Sequence, residues 1–277
     1  MALYLPVRSF GLIGLASLAV LCAYVAGGAE PESKEATEPK VPRLKIDGKK
    51  VHLPGLVIDL ENRCVDLEAT VCLNEGMLEL VACTKGTKDH ESIVNVKARP
   101  MHIHTALLLI GANNGHPAMS RPIDEERARW MHAPPRGDPV DVYLVVKDEN
   151  DKAVERPISD FVTRAEDEFA PVQEDEAKKE EDAGFPKTFL FAGSHLCDDG
   201  QGKRKYLADV SGHVITIATF GDEVLCLPGF HDKGNGELVW EVDDTHLPAV
   251  GTKVTLRFRL QAKPDPKAKK PLPDAKP

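Results

Sequence analysis

The sequence predicts an α+β fold: a predominantly antiparallel β body around one short buried helix, about residues 100–111. Three observations predict it. Apolar residues alternate with a period of two through residues 56–73, the mark of strands buried on one side. Turn formers recur between such runs, and the chain carries 21 Gly and 21 Pro, more than average usage. One segment, opening at Pro100, abandons the alternation and is apolar nearly all round.

The elements follow in order. Val65, Leu67, Ala69, Val71 and Leu73 share one face, and Cys64, Asp66, Glu68, Thr70 and Cys72 share the other. Asn74, Glu75 and Gly76 form a turn, and residues 77–83 read as the next strand, so the two runs make a hairpin. Residues 91–98 alternate again, with Val94 and Val96 inward. The helix has Pro100 in its first turn and Gly111 as its stop. Residues 140–147 and 153–157 flank a polar turn and make a second hairpin. Residues 189–192, 206–210, 214–220, 237–242 and 253–260 supply further strands, and Gly234, Asn235 and Gly236 suit a hairpin turn.

Roughly 200 residues belong to this body, residues 51–262. Arg8 is the only charged residue before Glu30, residues 10–25 are apolar apart from Ser17 and glycines, and small residues precede Glu30. Residues 1–29 therefore read as a secretory signal peptide or an N-terminal membrane anchor, which places the rest outside the cytoplasm, in the periplasm, envelope or medium. Residues 30–50 read as a flexible spacer and 263–277 as a disordered Lys/Pro tail. Residues 165–183 hold nine acidic residues and two lysines and read as a solvated acidic insertion.

The net charge of −9 and the 5% aromatic content exclude a nucleic-acid surface, and any membrane contact falls to the N-terminal segment. Besides Cys22, the cysteines are Cys64, Cys72, Cys83, Cys197 and Cys226, with no C-x-x-C. That removes zinc ribbons and iron-sulfur cluster runs. No phosphate-cradling glycine loop, dinucleotide fingerprint or nucleophile elbow is present.

One constellation survives: Cys83, Lys88, His90, Glu91, His102 and His104 within 22 positions. On a helix, residues two apart point about 200° apart, so His102 and His104 cannot face one site. His104 shares a face with Leu108 and Gly111 and needs a polar partner, which Glu91 supplies if residues 84–89 fold over the helix start. His90, Glu91 and His104, with Cys83 as a further ligand, would then suit zinc with an open position. The same residues, with Lys88 and Ser92, would equally form a structural polar network.

The run from Val71 to Ser92, with its Lys85-Gly86-Thr87-Lys88-Asp89-His90-Glu91-Ser92 signature, resembles the YdjY-domain family, as does Ile103-His104-Thr105-Ala106-Leu107-Leu108. Phe191-Ala192-Gly193-Ser194, Tyr206-Leu207-Ala208-Asp209 and Leu247-Pro248-Ala249-Val250-Gly251-Thr252 are similar to it as well. The resemblance covers roughly residues 51–260. It implies an exported protein of a kind abundant in planctomycete-type bacteria, with a family pattern that takes in Cys83, Lys88, His90, Glu91, Ser92 and His104. The ferredoxin-type cysteine runs of some relatives are missing, so an iron-sulfur role is not expected.

Three functional expectations follow. The first is a non-enzymatic binding or structural module of the envelope. The second is a zinc-type protein, hydrolytic if Glu91 acts as ligand or general base. The third is thiol chemistry at Cys83, activated by Lys88 or His90.

Overall fold

Strands dominate the chain. A computed structural model describes residues 45–124, 129–148, 150–165, 184–198, 200–231 and 238–261, all within the unit Pro42–Pro277. The expected signal or anchor, the spacer up to residue 44, residues 166–183 of the acidic run, the Gly234-Asn235-Gly236 turn and the tail lie outside the described residues.

The strands begin with β1 (Lys45–Asp47), β2 (Lys50–Leu53), β3 (Leu56–Asp59), β4 (Cys64–Val71), β5 (Leu80–Thr84) and β6 (Ser92–Val96). Helix α1 (Pro100–Leu109) is followed by β7 (Asn114–His116), β8 (Met119–Asp124), β9 (Arg129–Ala133), β10 (Arg136–Gly137), β11 (Pro139–Lys147) and β12 (Ala153–Pro157). Then come β13 (Val162–Arg164), β14 (Thr188–Phe191), β15 (Leu196–Asp198), β16 (Arg204–Tyr206) and the short helix α2 (Leu207–Ser211). Strands β17 (His213–Thr216), β18 (Leu225–Cys226), β19 (Trp240–Val242) and β20 (Lys253–Leu260) complete the order.

Eight of these strands close into a barrel, β4-β20-β11-β14-β18-β17-β5-β6 and back to β4. Closure depends on β4, whose one edge serves two partners. Residues 64–67 pair with β3, while Ala69 and Val71 pair with Val96 and Val94 of β6. The alternation legible in residues 64–71 points one set of side chains inward. Leu67 stands opposite Leu256 of β20, which stands opposite Leu144 of β11, and all three are fully buried. An eight-stranded barrel has room for such side chains and little else. Two joins are parallel, β5 with β6 and β17 with β18.

The expected body around one buried helix is therefore overturned. Helix α1 packs against the barrel and buries Pro100, Ile103, Ala106 and Leu107, while Leu108 and Leu109 are 44% and 51% exposed. A fully apolar run reads as buried on all sides, but here it caps a barrel already filled by strand side chains. Its ends are where the sequence puts them. Gly111 takes φ 91°, with Gly111 N–H donating to Leu108 and Ala112 N–H to Leu107, a Schellman stop.

Three further expectations change. The alternating run 56–73 is two strands, because the Asp59 carboxylate accepts the N–H groups of Glu61 and Asn62 and turns the chain between them. The turn at residue 76 is present, but β4 and β5 form no hairpin, since β6 is hydrogen-bonded to both. Of residues 206–210, expected as strand, only Tyr206 is strand, at the end of β16; the rest belong to α2, which ends on left-handed Gly212. No helix among the described residues is long and apolar enough to cross a membrane.

Candidate functional site

The tight link between β5 and β6 builds the site. Parallel neighbours usually need a dozen or more residues to connect, commonly a helix. Here residues 85–91 suffice. Thr87 turns back on the Thr84 carbonyl through both N–H and Oγ1, at 3.2 and 2.7 Å, and Gly86 takes φ 83°. Asp89 accepts from Gly86 N–H at 3.1 Å and from Asn95 of β6 at 3.2 Å, and a short 3-10 turn, Asp89–Glu91, leads into β6.

Lys88 is the centre of charge. Its Nζ lies 2.6 Å from Glu91 Oε2 and 3.3 Å from Glu79 Oε2, and 5.6 Å from the centroid of Phe220. The Glu91 hydrogen bond is the main cause holding the Lys88 pKa above its ordinary value. The two carboxylates diverge. Burial, then the neighbouring Glu91, pushes Glu79 up. Burial also acts upward on Glu91, but hydrogen bonds from Lys88 and Glu79 outweigh it and hold Glu91 down. Of the two, Glu79 therefore keeps its proton to the higher pH.

The remaining signature residues take up internal contacts. Ser92 Oγ donates to the Lys88 carbonyl at 2.9 Å, tying the crossover to the first residue of β6. His90 extends outward, its side chain 72% exposed, with Nε2 3.3 Å from Glu91 Oε1. Cys83 is buried and donates to Asp89 Oδ1 at 3.3 Å. Its pKa is lowered, first by the neighbouring Cys72 thiol, with Ser92 and the Lys88 N–H assisting against burial and Asp89. Cys72 itself donates to the Ser92 carbonyl at 3.1 Å.

His104 does not join this group. Its Nδ1 lies 3.0 Å from the Gly193 carbonyl and 2.9 Å from Tyr206 Oη, with the ring edge-on to Phe191 at 4.9 Å. A carbonyl only accepts, so Nδ1 carries the proton. Burial lowers its pKa against the Gly193 hydrogen bond, which leaves a neutral imidazole fastening α1 to the loop that follows β14. The expected zinc set is thereby divided: Glu91 pairs with Lys88 and His90, Cys83 with Asp89, and His104 with Gly193 and Tyr206. Among the described residues no three His, Cys, Asp or Glu side chains are grouped to hold a metal ion. His102, set aside on helix geometry, is half-buried with Nδ1 unpartnered.

Sequence reasoning missed Glu79, Asp89, Phe220 and His213. Glu79 and Asp89 lie inside the signature run and could have been found by asking what a half-buried lysine pairs with. Phe220 and His213 reach the site only because β17 pairs with β5, which no local pattern reveals.

The YdjY domain model matches residues 56–259. The chain belongs to the YdjY-domain family. The YdjY match starts at the first residue of β3 and ends inside β20, so it takes in the whole barrel, α1 and the crossover. No curated protein and no solved structure matches the chain. Surface clefts of about 490 and 190 Å³ are present on this YdjY domain, and neither is lined by Cys83, Lys88, His90 or Glu91.

Proposed function

We propose that this YdjY-domain chain is an exported, non-enzymatic binding or structural module of the cell envelope, with the signature charges fastening the β5–β6 crossover to the barrel. The observation that carries this reading is the position of Lys88 between Glu91 and Glu79, at 2.6 and 3.3 Å. A catalytic lysine or carboxylate needs a free valence toward substrate. Here Glu91 holds Lys88 through one oxygen and His90 through the other. Ser92 is tied to the Lys88 backbone, and Cys83 lies buried beneath. Export is supported by the apolar stretch of residues 10–25 followed by small residues before Glu30.

The test compares full-length protein with its Lys88→Met and His90→Ala variants. Lys88→Met is expected to lose stability, while His90→Ala unfolds at the wild-type midpoint, because the His90 side chain is exposed and its pairing is with Glu91. Turnover of an ester, phosphate, peptide or glycoside substrate that His90→Ala abolishes without unfolding would overturn the reading.

A further inference from the structure

Cys83 of β5 and His213 of β17 stand directly opposite one another on antiparallel strands. The Thr84 N–H donates to the Gly212 carbonyl at 2.9 Å, which makes 83 and 213 a non-hydrogen-bonded pair. In such pairs the Cα atoms are about 4.5 Å apart and the side chains, on one face, are at their closest. His213 Nδ1 is bonded to Asp222 Oδ1 at 2.6 Å, so the ring is oriented and Nε2 is its other nitrogen. Burial works to raise the Asp222 pKa, but the His213 hydrogen bond prevails and lowers it, keeping the orienting group ionised. A thiol, an imidazole beside it and a carboxylate behind the imidazole are the parts of an activated nucleophile.

The sulfur is covered, and Asp89 opposes the net lowering of its pKa that Cys72 leads. Cys83 is fully buried and donates to Asp89, a residue of the crossover that Lys88 fastens. A carboxylate against sulfur disfavours the thiolate. Lifting the crossover opens the sulfur and carries Asp89 away from it in one movement, leaving His213 as the base. The other groups around this face are Lys88, His90 and Glu91 on the crossover, Glu79 before β5, Cys72 after β4, and Phe220, whose ring stacks on His213 at 4.2 Å. His195 acts on Asp222 through its charge.

We propose that Cys83, His213 and Asp222 form a latent thiol site beneath the 85–91 crossover, open to small disulfides when the crossover lifts. His213 takes the proton of Cys83. The sulfur attacks one sulfur of the disulfide, that S–S bond breaks, and a new one forms to Cys83. The departing thiolate takes the proton that His213 holds, so atoms and charge balance. The proposal goes beyond the non-enzymatic reading and rests on its fastening role for Lys88.

Oxidised glutathione is the probe, with mass-spectrometric mapping of every cysteine in the native full chain at neutral pH. Cys83 is expected to react slowly in the wild type and about tenfold faster or more in Lys88→Met. Asp89→Asn, which leaves Lys88 and its two carboxylates in place, is the second variant and is expected to raise the same rate. Adding His213→Gln to either is expected to reverse the gain. Buried Cys64 and Cys226 are the controls. Equal Cys83 rates in wild type and both variants, indifference to His213→Gln, or a parallel rise at Cys64 and Cys226 would each overturn the proposal. Failure of the fastening role reads out separately, as wild-type thermal stability in Lys88→Met.

Discussion

Lys88 and Glu91 are paired across one turn of the crossover, Nζ to Oε2 at 2.6 Å, and Glu79 approaches the same ammonium from the strand side. Removing the cation leaves buried Glu79 and half-buried Glu91 facing one another. Lys88 is 30% exposed, so solvent screening reduces the loss below that of a fully buried pair. Lys88→Met is expected to cost about 1–2 kcal/mol, read as a fall in the urea midpoint at unchanged slope. An unchanged midpoint would show that the crossover is held by other contacts.

The two carboxylates give opposite pH signatures. Glu91 has a folded pKa below its ordinary 4.5, so its contribution is present above that value and is lost as pH falls through the folded pKa. Glu79 has a raised folded pKa, so its contribution is present below 4.5 and is lost as pH rises through the folded value. Glu79→Gln is therefore expected to compare worst with wild type in acid and to improve relative to it as pH rises. Glu91→Gln is expected to do the reverse. Unfolding titrations across this range check both, and parallel curves would refute the order in which the two carboxylates give up their protons.

How much of this was legible in the sequence depends on range. Residues 253–260, 140–147 and 100–111 are fixed by period, proline and glycine within one window, and their boundaries hold closely. Partner choice is not local. The run at 77–83 looks like half of a hairpin, yet β6 lies between it and β4, because barrel closure rewards a pairing that alternation cannot express. The same limit applies to the site. Lys88, His90 and Glu91 can be read together because one short 3-10 turn, Asp89–Glu91, sets them side by side. Helix phase puts His104 on a face where it needs a polar partner, and it has one, but the partners are Gly193 and Tyr206, far away in sequence, rather than Glu91. His213 and Asp222 carry no motif and enter only through the β5–β17 register.

His104 makes its own test. Its folded pKa lies below the ordinary 6.5 because burial disfavours the charged ring. The unfolded chain then binds the extra proton, so stability is full above 6.5 and declines as pH falls toward the folded value. His104→Phe keeps the edge-on ring contact and is expected to flatten that decline, while His104→Ala costs about 2–4 kcal/mol above pH 6.5 through the cavity it leaves. A decline that survives His104→Phe would place its origin in another histidine.

Because Cys83 pairs with Asp89 and His104 with Gly193 and Tyr206, away from the His90–Glu91 pair, chelation is expected to leave the unfolding midpoint unchanged. The measurement is calorimetry of protein purified without chelator, before and after chelator treatment. A drop on chelation that both His90→Ala and His104→Ala abolish would restore a shared metal centre.

Arg257 on β20 tests the opposite side of the barrel wall. Its Nε and Nη2 reach both oxygens of Asp66 on β4 at 2.6 Å, and Nη1 reaches Glu155 on β12 at 2.7 Å. One guanidinium therefore bridges β4, β20 and β12, with Arg259 holding the same Glu155 from the next outward-facing position. A lysine keeps the charge but cannot fork. Arg257→Lys is expected to lose about 1 kcal/mol despite conserving charge, since the group is only a quarter exposed and the contact is bidentate. A double-mutant cycle with Asp66→Asn separates the two contributions. Coupling near zero would mean that the geometry is incidental. Coupling of about 1 kcal/mol would show that the fork, rather than the charge, clamps β20 to β4.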